Sequence, residues 1–425
     1  MPASLPQRLD GTGWLDRPET QAVFVALAAR GFAARAVGGS VRNSLAGRPV
    51  IDVDIATDAH PGDVVRAAEA AGLKAVPTGV AHGTVTVVSG DLPHEVTTLR
   101  KDVETHGRHA TVAFTDDWTA DAMRRDFTLN ALYCSADGTV FDPLGGYPDL
   151  AARRVRFIGD ARQRIREDYL RILRFFRLTA EFAEGLADAV GLAACVRERA
   201  GLAVLSAERV RAEFLRLLVA PRGPEIVALM QDYGLLPSVL GAAPRPNLLA
   251  RLAAIETALG LAPDAMLRLA ALAVEIPEDA QRLRDRLRLS NDQGEKLARA
   301  AQHGVDIAPA GLEAGARACL YRHGEAAYRE RVLLAWARAG DAPDSEAWRH
   351  RMSLPQRWPA PRFPLKGADV LALGIPAGPR VGEILRALED WWIAGDFAAD
   401  ESGLRARLSA LADRVLDRSQ PSPEN

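Results

Sequence analysis

The sequence predicts an α+β protein, a head built on a small mixed sheet followed by an all-helical remainder. Three observations predict it. From about Gln21 to Leu150, apolar residues switch between the spacing of an amphipathic helix and the alternation of a half-buried strand. After Leu150, Ala-, Leu- and Arg-rich helical patterns run to the end, broken by prolines between Ala220 and Pro224, Gly241 and Pro246, and Leu354 and Pro364. The 425 residues are 48% hydrophobic and 25% charged, the balance of a globular chain with room for about three domains.

The elements follow in order. Thr20 is placed to cap a helix through QAVFVALAARG, with Gly31 as its stop. FAARAV reads as a strand, and Gly38-Gly39-Ser40 opens a second helix. Val50 to Ala56 alternates apolar and acidic residues, as do half-buried strands. Thr84 to Val88, His94 to Leu99 and the short Val140-Phe141 complete the strands. The last residues, Ser419 to Asn425, read as a frayed tail.

Composition narrows the class. Cys134, Cys195 and Cys319 stand far apart, which supports neither a zinc ribbon nor a disulfide framework and suits a reducing cytoplasm. No run reaches the roughly 18 apolar residues of a membrane span, and the N-terminus does not read as a signal peptide. Net charge is -2, yet between Ala151 and Arg222 stand fifteen arginines, no lysine and nine acidic residues, a local +6. Such a block is either the footprint of a polyanion or a set of solvated helix faces.

The chemistry concentrates in AVGGSVRNSLAGRPVIDVDIAT, Ala36 to Thr57. Gly38 and Gly39 allow a sharp turn and close approach of a ligand to the backbone. Ser40 stands at a helix N-terminus, which favours an anion, and Arg42 follows on the first turn. Asp52 and Asp54, two apart on a strand, point to one face. Held together, two carboxylates are costly without a cation, and hard oxygen donors of this kind suit Mg2+ completed by phosphates and water. A bare D-x-D is more often a solvated strand edge, but a Gly-Gly cradle, short helix and D-x-D together are the signature of polymerase-β-type nucleotidyltransferases. Glu95 in PHEVTTLR has the right type for a third carboxylate from a neighbouring strand, or is an exposed strand residue.

Two further constellations follow. In DAMRRDFTLNALY, Asp121 to Tyr133, one of the adjacent Arg124 and Arg125 can face a triphosphate while the other pairs with a carboxylate. In RIREDYLRILRFFRL, Arg164 to Leu178, a single helix would bury Ile165, Tyr169, Ile172, Leu173 and Phe176 on one arc. Asp168, Arg171, Arg174 and Arg177 fall outside it. Asp168 and Arg171 would then be helix neighbours, either a plain ion pair or an acceptor and donor able to read a nucleobase edge.

GGSVRN…DVDIAT, RRDFTLNAL, DPLGGYPDL and EDYLRILRFFR occur in the order and spacing of the class II tRNA nucleotidyltransferase/poly(A) polymerase family, which the chain resembles from Gly31 to about Leu218, ERVRAEFLRLL included. The resemblance implies a nucleotidyltransferase head over 1–150, a helical neck over 151–222, and a tRNA-binding helical body and tail over 223–425. It implies Asp52 and Asp54 as metal ligands with Mg2+, Gly39, Arg42 and Arg125 as nucleotide contacts, Asp168 and Arg171 as the base-reading pair, and Arg174 and Arg177 as further nucleotide-site arginines. Asn43 departs from the aspartate usual in this family. PTGVAHGTVTVV, Pro77 to Val88, resembles the CCA-adding branch, which uses CTP and ATP to extend tRNA. Poly(A) or A-only addition is the alternative within the family, and a non-catalytic RNA-binding protein the alternative outside it. No His-Asp dipeptide occurs, so no H-D phosphohydrolase activity is expected. LKGADVLALGIPAGPRVGEIL resembles the family's tail, where Gly378-Pro379 is either a turn or a source of amides for a tRNA phosphate.

Overall fold

The computed structural model describes residues 5–106, 109–302 and 307–417. The expected tail from Ser419 to Asn425 lies outside them. Among the described residues no helix is long and apolar enough to cross a membrane. The chain divides into two compact units. The first runs to Pro246 and takes back Arg282–Leu289, and the second comprises Asn247–Gln281 and continues from Ser290.

The first unit begins with α1 (Pro18–Ala28), β1 (Ala34–Val37), α2 (Gly39–Leu45), β2 (Asp54–Thr57) and α3 (Pro61–Ala70). β3 (Lys74–Gly79), β4 (Thr84–Ser89), β5 (Leu92–Thr98), β6 (Arg100–His106) and β7 (His109–Phe114) follow. Next come α4 (Trp118–Met123), β8 (Tyr133–Ser135), β9 (Val140–Phe141), α5 (Tyr147–Ala151), α6 (Ala161–Glu167), α7 (Leu170–Phe182), α8 (Ala189–Arg197) and α9 (Ala207–Val219). A seven-stranded sheet has the order β3-β4-β5-β2-β1-β8-β9, in which the β2–β5 pair alone is parallel, and β6 and β7 form a separate hairpin. This is the expected α+β head with a small mixed sheet.

Several expectations are corrected. Thr20 does not cap α1, because Pro18 already fills the first turn, where its missing N–H costs nothing. Thr20 is buried, its hydroxyl 3.1 Å from His94 Nε2 on β5. The strand expected from Val50 begins only at Asp54. β1 supplies the reason: its register with β2 ends at Val37↔Asp54, and Gly38 (φ 71) then turns away, leaving Asp52 no strand partner. The β6–β7 hairpin, β3 and β8 have no counterpart in the expected elements.

The largest correction concerns the helix expected from Arg164 to Leu178. α6 and α7 are separate, with Asp168 extended between them (φ -154, ψ 105). The Asp168 carboxylate accepts from the Leu170 amide (3.1 Å) and its carbonyl from the Arg171 amide (3.0 Å), the local bonding that draws aspartate to helix starts. α7 is also buried around most of its girth: Phe175, Leu178 and even Arg177 lie inside with the expected Ile172, Leu173 and Phe176.

The DPLGGYPDL turn braces the head. The Asp142 carboxylate accepts from the Gly146 and Tyr147 amides (2.7 and 2.9 Å). Buried Asp149 accepts from the Thr128 hydroxyl (2.7 Å) and from the Nε atoms of Arg154 and Arg156 (2.9 and 2.8 Å). Gly146 lies so close to the Thr128–Asn130 turn that a Cβ there would stand 2.1 Å from the Thr128 carbonyl oxygen.

The second unit is helical in its described residues. It includes a 27-residue element, Glu313–Ala339, kinked at Gly324 (φ 76), and the helices Pro379–Ala394 and Glu401–Asp417. Trp392, Leu388, Leu404 and Leu408 are buried together in its C-terminal core. Gly378 is the N-cap of the helix starting at Pro379.

Gly146→Ala should destabilise the first unit by about 1–3 kcal/mol, because backbone rather than a pliable side chain must move. A urea-unfolding midpoint equal to wild type would show that the turn yields freely.

Candidate functional site

A cavity of about 670 Å3 opens at the C-terminal end of β1. Gly38, Gly39, Arg42 and Asn43 line it from the turn into α2, and Asp52 and Asp54 from the approach to β2. Arg125, Asp126 and Asn130 line it from the segment after α4, and Arg174, Arg177, Glu181 and Phe182 from α7. Arg48 and Arg216 complete the wall. Three motif regions far apart in sequence thus meet at one place.

Asp52 and Asp54 are both exposed and flank buried Val53, so the alternation puts both carboxylates on the open side. The parallel register sets Glu95 of β5 directly beside Asp54. The Asp54 carboxyl is held above its usual range by the packed surroundings first and then by the Glu95 charge. Arg125 opposes the rise and Asp52 adds to it. Three carboxylates therefore crowd the start of β2 beside β5 with too little positive charge among them. Among the described residues no group of three His, Cys, Asp or Glu is arranged to hold a metal ion. The donor chemistry fits a divalent cation that takes two carboxylates and draws its remaining oxygens from elsewhere.

Three of the six arginines that line the cavity, Arg125, Arg174 and Arg177, have carboxylate partners. Arg125 donates to Asp121 (2.9 Å) and to the Tyr133 hydroxyl (3.2 Å), and Arg124 pairs with the same Asp121 (2.8 Å). Both adjacent arginines thus share one buried carboxylate, and they stand past the end of α4 rather than on a helix. Asp126 is buried and accepts from Arg174 Nε (2.7 Å), the Phe127 amide (2.8 Å) and Asn130 Nδ2 (2.9 Å). Burial raises its carboxyl, but Arg174 and these hydrogen bonds outweigh burial and hold it well below the usual carboxylate range. Arg177 is buried between Glu213 (2.6 Å) and Glu181 (2.8 Å).

Arg42 differs. Its guanidinium meets two amide oxygens, Asn130 Oδ1 (2.5 Å) and Asn43 Oδ1 (3.0 Å), and lies 4.3 Å over the Phe182 ring. Burial lowers it to about 10, with Glu181 partly opposing, so the charge persists at neutral pH. Asn43 orients Arg42 without neutralising it and donates to the Pro49 carbonyl (2.9 Å).

The expected base-reading pair is not a pair here. Asp168 bonds Arg209 (2.7 Å), whereas Arg171 bonds Glu167 (2.6 Å) and the Arg164 carbonyl (2.8 Å). Neither lines the cavity, although Asp168 acts on the Arg174 charge and Arg171 on that of Asp126. Glu95 stands beside Asp54 without lining the cavity. Gly39, Arg42, Arg125, Arg174 and Arg177 all line it. Much of the basic block is paired: Arg162 and Arg166 with Glu198 and Arg153 with Glu184 inside it, Arg154 and Arg156 with Asp149 and Arg174 with Asp126 outside it. It therefore carries less free charge than its composition suggests. A second cavity, of about 490 Å3 and lined by Met123, Phe157 and Val190 among others, holds none of the expected site residues.

Sequence reasoning missed Asn130, Phe182, Glu181, Glu213, Arg48 and Arg216. Asn130 and Arg216 lay inside quoted motifs, and Arg48 followed Gly47 in the first one, but nothing in the spacing marked them as cavity residues; Glu213, also inside a quoted motif, pairs with Arg177 without lining the cavity.

Comparison with known proteins agrees with this geometry. The poly A polymerase head domain model matches residues 34–156, and the model of a probable RNA- and SrmB-binding site of polymerase A matches 192–248. The mitochondrial CCA tRNA nucleotidyltransferase 1 of Mus musculus is 34% identical over 87% of this chain and 85% of its own length. The chain belongs to the CCA tRNA nucleotidyltransferase family. A CCA-adding enzyme of Geobacillus thermodenitrificans is 39% identical over 53% of this chain and 55% of its own. The crystal structure of the Bacillus stearothermophilus CCA-adding enzyme in complex with CTP superposes with a TM-score of 0.71 at 29% identity, covering 95% of this chain and all of that one. The likeness to these CCA-adding enzymes thus extends well past the head domain.

Asp126→Asn should cost about 3 kcal/mol or more, since it leaves the Arg174 guanidinium beside the cavity without its charge partner. Denaturant unfolding checks this, and a loss below about 0.5 kcal/mol would mean that Glu213, 3.6 Å from Arg174, takes over.

Proposed function

We propose that this chain adds CCA to the 3′ end of tRNA from CTP and ATP without a nucleic-acid template, releasing pyrophosphate. The observation that carries the reading is the Asp52–Asp54 pair, with Glu95 beside it, at the mouth of a cavity that also holds Gly38, Gly39 and Arg42. A tRNA 3′ hydroxyl gives its proton to Glu95 beside the pair as its oxygen bonds to the α-phosphorus of the bound nucleotide, the bond to the β-phosphate side breaks, and pyrophosphate carries the electron pair away. Mg2+ held by Asp52 and Asp54 would lower the charge cost of that exchange.

The chain's own groups do the rest. Gly38 (φ 71) carries no side chain into the turn, so phosphates can approach the backbone. Arg42, held by amide oxygens with no ion pair among the described residues, offers charge to them, and Arg125, Arg174 and Arg177 hold a positive wall whose own carboxylates fix its geometry. The head (1–150) thus performs transfer, the neck (151–222) selects the nucleotide, and the body and tail (223–425) carry tRNA. A cytoplasmic setting is part of this reading, supported by Cys134 and Cys195, which are buried and form no disulfide.

Base selection falls to Asp168 and Arg171, which act electrostatically on Arg174 and Asp126 of the cavity wall and exchange their Arg209 and Glu167 partners for the base when it binds. Cytosine and adenine each offer an amino donor beside a ring-nitrogen acceptor, which a carboxylate and a guanidinium can satisfy together. UTP and GTP present a carbonyl in place of the amino group and leave the carboxylate facing an acceptor.

The test is incubation of tRNA lacking its 3′ end with Mg2+, CTP and ATP, followed by product sequencing. CCA is expected, whereas a run of A or a single added A would assign the alternative activities. Asp52→Asn and Asp54→Asn should each lower incorporation by more than a hundredfold while tRNA binding persists. Incorporation within tenfold of wild type in either variant would remove that residue from the metal pair. In the same assay Asp168→Ala should narrow the preference for CTP and ATP over UTP and GTP, and retained discrimination would place base reading elsewhere.

A further inference from the structure

The cavity's arginines fall into two sets. Arg125, Arg174 and Arg177 each have a carboxylate within 2.9 Å. Arg48 and Arg216 line the same cavity, and among the described residues neither has an ion pair. Arg48 packs 4.2 Å over the Phe182 ring, the ring that Arg42 also covers. An aromatic face holds a guanidinium flat without consuming its in-plane donors, so the donor fork stays available. Arg216 is exposed in the last turn of α9, on the wall that α7 and its bound Glu213 build. A charge-bearing fork with no ion pair, though the Glu181 charge acts on that of Arg48, on the wall of a cavity with a Gly-Gly turn, is matched chemically by phosphate oxygens.

We infer that Arg48 and Arg216 are phosphate-contacting residues of this site. The inference rests on the nucleotidyl-transfer reading and adds residues that the motifs did not assign. Paired arginines shape the wall, and unpaired ones meet the ligand. The phosphates come either from the nucleoside triphosphate or from the tRNA terminus, and equilibrium binding separates the two.

Arg48→Gln and Arg216→Gln remove the charge and keep the length of the stem. Arg48→Met and Arg216→Met carry the same test should a glutamine variant fail to fold. Arg30→Gln, an exposed arginine beyond the C-terminus of α1, is the reference. One arm measures binding of inorganic tripolyphosphate and of Mg·CTP by calorimetry, with no tRNA present. The other measures the tRNA dissociation constant against salt. Loss of a charge-assisted contact should weaken the affected ligand by about tenfold or more. For tRNA it should also reduce the salt slope by about 0.7–0.9. A loss in the first arm assigns the residue to the triphosphate, and a loss in the second assigns it to the tRNA backbone. Variants that match Arg30→Gln in both arms overturn the inference. Failure of the wild-type protein to bind Mg·CTP would instead count against the nucleotidyl-transfer reading itself.

Discussion

Three carboxylates crowd together where β2 begins beside β5, and the rest of the site is arranged around that crowding. Asp52 and Asp54 lie on one face, and the parallel pairing of β2 with β5 adds Glu95. Packed surroundings and like charge raise the carboxyl of Asp54, exposed though it is, and Arg125, which is committed to Asp121, relieves it only in part. Protein alone leaves a negative imbalance there. A divalent cation removes the imbalance and brings with it open coordination positions for phosphate oxygens.

The helical layer is fastened to this cluster through buried charge. Asp126 binds Arg174 of α7 and, through Asn130, reaches Arg42 behind the glycine turn. Arg164 and Arg171 donate to the backbone carbonyl of Arg124, so α6 and α7 grip the turn that carries Arg125. Such buried pairs add little net stability over an apolar core, but each is costly to break. They hold the guanidinium groups in place before a nucleotide arrives, which is what electrostatic catalysis requires.

Much of this was legible in the sequence. Asp52, Asp54, Gly38 and Arg42 stand together in one short motif, and local spacing is enough to place them. Glu95 was named from residue type, but its position beside Asp54 depends on strand order, which no local pattern encodes. The break at Asp168 was missed because the hydrophobic period runs on through it. The interruption comes from a side-chain hydrogen bond to the Leu170 amide, which competes with the helix. Arg177 was placed outside because it falls off the apolar arc of the helix, and it is buried here because α7 is covered on most sides and Glu181 and Glu213 come with it. Ion pairing also hid the nature of the basic block, since a count of charges does not say which of them face one another.

The central claim is that the Asp52–Asp54 pair binds a divalent cation. Mn2+ in place of Mg2+ makes this directly visible by electron paramagnetic resonance, without turnover. The account predicts that the wild-type protein binds Mn2+ in the presence of CTP, and that Asp52→Asn and Asp54→Asn each weaken that binding by at least about tenfold while remaining folded. Equal Mn2+ binding by the wild type and both variants would contradict it.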